Sequence, residues 1–192
     1  MKKIYIDTNI IIAYAVGPTK EKIQYPKAEK IFKQIEDGEF IGVVSTLTLT
    51  EIIGVLRTLI GREREKMLTI KEHDQNEHVR HEAKKIYDEI IKILLTMNNI
   101  KFEEGKMSNF QTILSDGFEL ISGSTGFQKF HSTCGICRQA YKSSNYKQIL
   151  VADILHALLA KDTGCDELLT FDGGFRGIIG HEKIEPLTIC VK

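Results

Sequence analysis

Apolar residues along the chain switch repeatedly between a two-residue period and a three-to-four-residue period, which predicts strands that lead into helices. Ile4 and Ile6 alternate as the buried face of a short strand, and Ile10, Ile11, Ile12 and Ala13 resume as a helical run just beyond the polar trio Asp7, Thr8 and Asn9. Gly17 and Pro18 predict a turn. From Pro26 a second helix sets Ala28, Ile31, Phe32 and Ile35 on one face, and Asp37 and Gly38 end it. Phe40 to Val44 is a nearly unbroken apolar run rich in β-branched residues, the pattern of a central strand covered on both faces.

The pattern continues in the same manner to the end of the chain. A helix is expected to begin between Ser45 and Thr48, to bury Ile52, Ile53, Val55, Leu56 and Leu59, and to stop at Gly61. A charged, exposed stretch from Arg62 to Gln75 precedes a long helix through Ala83, Ile86, Ile90, Ile93, Leu94 and Met97. Ile100 to Phe102 reads as a short strand and Met107 to Ile121 as a further helix. From Ser122 to Tyr146 the chain is rich in Ser and Gly, with aromatics and Lys between them, and periodicity is lost. It returns at Gln148 in a largely buried helix through Ile149, Leu150, Ala152, Ile154, Leu155, Leu158 and Leu159, ended by Gly164. Glu167 to Phe171 is a strand, and Ile184 to Val191 is expected at a sheet edge because Pro186 removes a ladder donor. Strands alternating with helices imply an α/β fold.

Acidic residues recur at the joints of this pattern. Asp7 follows a strand and precedes a helix, at the edge where open α/β sheets place their ligands, although Asp is also a common helix N-cap. Glu51 lies in the first turn of the helix after the central strand, where Thr48-x-x-Glu51 also has capping-box spacing. Asp153 stands among apolar residues near a helix start, where burial is costly unless the acid is paired or bound to a cation. Asp172 leaves the Glu167 to Phe171 strand, followed by Gly173 and Gly174. Four acids brought together would repel one another unless divalent cations neutralised them, and hard cations such as Mg²⁺ or Mn²⁺ prefer oxygen ligands. Unrelated caps and surface acids are the competing explanation.

Composition narrows the setting. A length of 192 residues fits one domain, 1–192, with an insertion around 122–146. Charge balances at 26 Lys+Arg against 26 Asp+Glu, so any nucleic-acid surface has to be local. Lys2 and Lys3 before an apolar run resemble the start of a secretion signal, but Asp7 and Asn9 interrupt that run and it is too short to span a bilayer. No window approaches a transmembrane length, and four cysteines do not make a disulfide framework, so a reducing cytoplasm is expected. His131-x-x-Cys134-x-x-Cys137 has zinc or redox spacing, yet no second Cys-x-x-Cys completes a four-ligand site, and ordinary cysteines in an inserted loop are the better reading. His73, His78 and His81 sit among charged residues on a solvated helical face and receive no role.

Taken together, Ile6-Asp7-Thr8-Asn9, Glu51 after Val43-Val44-Ser45, Ala152-Asp153-x-x-His156-Ala157, and Leu169-Thr170-Phe171-Asp172-x-x-Phe175 resemble the acidic motifs of the PIN-domain nucleases, and most closely those of VapC-type toxin ribonucleases. The resemblance covers nearly the whole chain in order. It implies a three-layer α/β/α sandwich with a mainly parallel central sheet, Mg²⁺ or Mn²⁺ in an acidic pocket, and endonucleolytic cleavage of RNA. Asp7, Glu51, Asp153 and Asp172 match the family's metal-binding acids, Thr8 and Thr170 match small polar neighbours that orient them, and Asn9 is a further supporting candidate. VapC toxins are usually shorter between the long helix and Asp153. The toxin resemblance also implies a small antitoxin partner and a homodimer.

RNA would need cationic contacts, for which Lys129, Arg138, Lys142, Lys147 and Arg176 are candidates, with Tyr141 and Tyr146 available to stack on unpaired bases. The same lysines also serve to solubilise a loop. A PIN-like module that binds RNA or a protein without cutting is the alternative from another class. A phosphatase or nucleotide-binding protein fits less well, because no Gly-rich phosphate loop follows the first strand and Asn9 stands where a nucleophilic Asp-x-Asp pair would have its second acid.

Overall fold

The computed structural model describes residues 1–65, 72–105 and 151–192. Its strands are β1 (Lys2–Ile6), β2 (Phe40–Val44), β3 (Ile100–Phe102), β4 (Glu167–Thr170) and β5 (Thr188–Val191). Its α-helices are α1 (Thr8–Lys20), α2 (Tyr25–Glu36), α3 (Thr46–Glu65), α4 (Glu72–Thr96) and, after the undescribed stretch, α5 (Val151–Asp162). The strands form one sheet in the order β3-β2-β1-β4-β5, and every neighbouring pair is parallel. Lys2 lies opposite Phe40, and Ile4 lies opposite both Gly42 and Glu167, so β1 is the central strand. All the strands therefore end at one edge.

Alternation along β1 sorts the core into two halves. Ile4 and Ile6 join Val44 and Leu169 against Ile10 and Ile11 of α1, Phe32 and Ile35 of α2, Leu56 of α3 and Ile90 and Leu94 of α4. Tyr5 faces the other way, with Val43 and Leu168, against Ile154, Ala157 and Leu158 of α5 and Phe175 and Ile178 beyond β4. Helices thus cover both faces of the sheet, a three-layer α/β/α arrangement among the described residues. Gly42 makes the α2 side close: a Cβ there would lie 2.6 Å from Ile100 Cδ1, 2.8 Å from Ile6 Cδ1 and 3.0 Å from Ile35 Cδ1.

Several local expectations change. The Gly17 turn is a kink within α1, where Gly17 takes the left-handed φ of 77° that permits the bend. Helix α3 passes through Gly61 to Glu65, because packing of Ile52, Leu56 and Ile60 along α4 outweighs the roughly 1 kcal/mol that a helical glycine costs. Ile53, one residue round the helix from Ile52, is 42% exposed rather than buried. Strand β4 ends at Thr170, so Phe171 belongs to the exit loop. The last strand begins at Thr188, Ile184 lying instead in a 3-10 turn, and β5 is an edge strand as expected. His78 and His81 are exposed on α4. The Met107–Ile121 helix and the 122–146 segment, with His131, Cys134, Cys137, Lys129, Arg138, Tyr141, Lys142 and Tyr146, lie outside the described residues, as does Lys147. No helix among the described residues is long and apolar enough to cross a membrane.

Candidate functional site

The common edge of the sheet gathers side chains from distant parts of the sequence. Asp7 follows β1 directly, Ser45 follows β2, and Asp172 follows β4 by two residues. Glu51 comes from α3, in the layer on one side of the sheet, and Asp153 and His156 come from α5 on the other. Asp7, Glu51, Asp153 and Asp172 line one cavity, together with Thr8 and Asn9. The four acids assigned from sequence are therefore brought to one place.

Asp7 is both a cap and a cavity residue. Its Oδ1 accepts the Thr8 N–H at 2.7 Å, and its Oδ2 accepts the Asn9 Nδ2 amide at 2.7 Å and the Thr170 hydroxyl at 2.5 Å. Thr170 Oγ1 in turn accepts from Asn9 Nδ2 and from the Asp172 N–H, each at 2.9 Å, while Asn9 Oδ1 accepts the Phe171 N–H at 3.0 Å. Thr170 and Asn9 thereby tie the first turn of α1 to the end of β4 and hold the Asp7 carboxylate rigidly. Thr8 supports the next acid, its hydroxyl donating to Glu51 Oε2 at 2.5 Å.

Thr48 and Glu51 do not form a capping box. The cap of α3 comes from Ser45, whose Oγ accepts the Thr48 N–H at 3.3 Å, and from Glu104, whose carboxylate accepts the Thr46 N–H and hydroxyl, each at 2.7 Å. Glu51 is thus released to face the cavity. Asp153 is 8% exposed in the first turn of α5. Asp172 Oδ1 accepts the Gly174 N–H at 2.8 Å, capping the 3-10 turn Gly173–Gly177. A Cβ at Gly174 would stand 3.0 Å from Asp153 Oδ2 and 3.3 Å from Asp172 Oδ1, so only glycine leaves this approach unstrained. Arg176 is exposed in the same turn and is not among the residues that line the cavity.

His156, which stands in the Asp153 motif but receives no role from the sequence, joins the acids at the cavity. It is 1% exposed, and its Nε2 lies 2.9 Å from Glu51 Oε2 and 4.0 Å from Asp7 Oδ1. One donor atom from each of Asp7, Glu51 and His156 falls within 4.8 Å of the other two. The signal lay in helical spacing, since His156 follows Asp153 by three residues and shares its face of α5. Burial pushes the Asp7 carboxyl above its usual range, outweighing the pull of His156 and the Thr170 hydroxyl. The His156 hydrogen bond, helped by Thr8, holds Glu51 below its usual range against the opposing effect of burial.

The cavity is strongly anionic. Glu21 also lines it, and no Lys or Arg is among its described lining residues. A buried carboxylate with a second carboxylate beside it is an oxygen donor set suited to a hard divalent cation, and such a cation would relieve both the burial cost and the repulsion. No family model matches the chain, and no curated protein and no solved structure matches it either.

Proposed function

We propose that the chain is a metal-dependent endoribonuclease of the PIN type, in which Asp7, Glu51, Asp153 and Asp172 hold Mg²⁺ or Mn²⁺. The observation that carries this reading is the convergence of the four acids on one cavity at the carboxyl edge of a parallel sheet. A polyanion does not enter so anionic a cavity unless cations neutralise it. When bound, a divalent cation supplies that neutralisation, stabilises charge on the leaving oxygen and activates water for attack on a phosphodiester. The chain's own residues supply rigidity: Asn9 and Thr170 fix Asp7, Thr8 fixes Glu51, and Gly174 lets Asp153 and Asp172 approach. The Thr8 hydroxyl donates to Glu51 and the Thr170 hydroxyl to Asp7, so both hydroxyls orient carboxylates, in keeping with catalysis by positioning and electrostatics.

The same reading extends to a small antitoxin protein as partner, to a homodimer and to a cytoplasmic location. Incubating the protein with total cellular RNA in Mg²⁺, in Mn²⁺ and in chelator, and mapping the cut ends, tests the activity. Cleavage is expected with either cation and not with chelator. Asp7→Asn and Asp153→Asn should each slow it about 100-fold or more. Cleavage by Asp7→Asn at the wild-type rate would refute the site, and RNA binding without cutting would favour a binding module.

A further inference from the structure

Behind the acidic cavity runs a buried line of polar side chains. Tyr5 is fully buried on the α5 side of β1, with its hydroxyl 2.6 Å from Ser45 Oγ, 3.1 Å from Thr48 Oγ1 and 2.9 Å from His156 Nδ1. His156 continues the line to Glu51 Oε2 at 2.9 Å. Tyr5, Ser45, Thr48 and His156 are each at most 1% exposed, so none of these four is served by bulk water, and such a network stabilises only when every member is satisfied.

Donor and acceptor counting gives the line a direction. An ionised carboxylate only accepts, so His156 Nε2 carries the proton that reaches Glu51. With a single ring proton, on Nε2, the Nδ1 would offer a lone pair to the hydroxyl that faces it at 2.9 Å, that of Tyr5. The Tyr5 oxygen would then accept from the hydroxyls of Ser45 and Thr48, which lie within hydrogen-bond distance of it. Glu51 Oε2 thus takes two donors, Thr8 and His156, whereas Oε1 takes no hydrogen bond among the described residues.

We propose that His156 and Tyr5 are positioning residues which lock Glu51 by Oε2 and so present Oε1 to the divalent cation. The proposal deepens the nuclease reading and rests on it for the cation. Its competitor is His156 as a direct nitrogen ligand. That role would move the ring proton to Nδ1, reverse the Tyr5 hydrogen bond and leave Glu51 Oε2 with Thr8 alone.

Three measurements decide it. In metal-free protein, imidazole ¹⁵N shifts should show His156 protonated at Nε2, and Tyr5→Phe should move the Nδ1 resonance of that ring toward an unbonded acceptor; an Nδ1–H tautomer overturns the proposal. By calorimetry, Tyr5→Phe and His156→Ala should weaken Mn²⁺ binding about 10- to 100-fold, the usual effect of removing a partner behind a metal ligand. In the Mn²⁺-loaded protein, electron paramagnetic resonance should show no directly bound ¹⁴N, and a directly bound ¹⁴N overturns the positioning role. Variants that bind Mn²⁺ as tightly as a Mn²⁺-binding wild type sink the positioning proposal alone. A wild type that takes up no Mn²⁺ sinks the cation reading and the final step of this proposal with it.

Discussion

Asp7 and Glu51 share a cavity yet shift in opposite directions, and the difference lies in what surrounds each carboxylate. Asp7 is almost wholly buried and desolvation raises it, whereas Glu51 remains partly open and the His156 hydrogen bond lowers it. A lowered acid adds stability above its unfolded value of about 4.3, and that stability is lost as pH falls through the lower folded value. In chelator, the melting-temperature deficit of Glu51→Gln against wild type should therefore shrink as pH falls from about 7 to about 3. A deficit that stays constant over that range would mean that ionised Glu51 is not what His156 and Thr8 stabilise. Asp7 has the opposite sign, its contribution being complete below about 3.9 and lost as pH rises through its raised value. Gly174 is the other sensitive position. Gly174→Ala puts a methyl 3.0 Å from Asp153 Oδ2 and should cut RNA cleavage by about 10-fold with little change in melting temperature. An unchanged rate would show that the Asp153 and Asp172 geometry tolerates displacement. The four acids were legible because each sits at a strand end or in the first turn or two of a helix. His156 stands in the same motif as Asp153, but with Ile154, Leu155, Leu158 and Leu159 around it no local pattern records its contact with Glu51.

At the scale of elements, α2 shows local pattern and tertiary packing in agreement. Ala28, Ile31, Phe32 and Ile35 are its buried face, as their spacing predicts. That face reaches the sheet because Gly42 of β2 leaves room for Ile35, Ile6 and Ile100. Gly42→Val should destabilise the fold by about 1–3 kcal/mol through overpacking, read as a fall in the midpoint of denaturant unfolding. An unchanged midpoint would mean that the three isoleucine tips repack freely. Helix α3 shows the opposite relation. Its glycine at position 61 is a stop by local rule, but the long contact with α4 carries the helix onward. Its cap departs from the local capping-box spacing for a similar reason, because the glutamate that caps Thr46 is Glu104, 58 residues away.

For the molecule as a whole, the parallel sheet with helices on both faces puts every strand end at one edge, and this turns four scattered acids into a single cavity. A cation bound only by the folded state stabilises it by mass action, by about 2.7 kcal/mol at 100 times the dissociation constant. Mn²⁺ should therefore raise the melting temperature, chelator should reverse the rise, and Asp153→Asn should lose most of it; an equal rise in that variant would place the cation elsewhere. The sequence by itself determined the strand and helix order, the apolar faces of most elements and the joints at which the acids fall. These follow from hydrophobic period and turn chemistry, which act over a few residues. Tertiary structure alone decided which acids cap and which face the cavity, that Tyr5 and His156 meet across 151 residues, and that His156 then meets Glu51 across 105. Those contacts depend on how two helical layers seat on opposite faces of one sheet, and no local period records that distance.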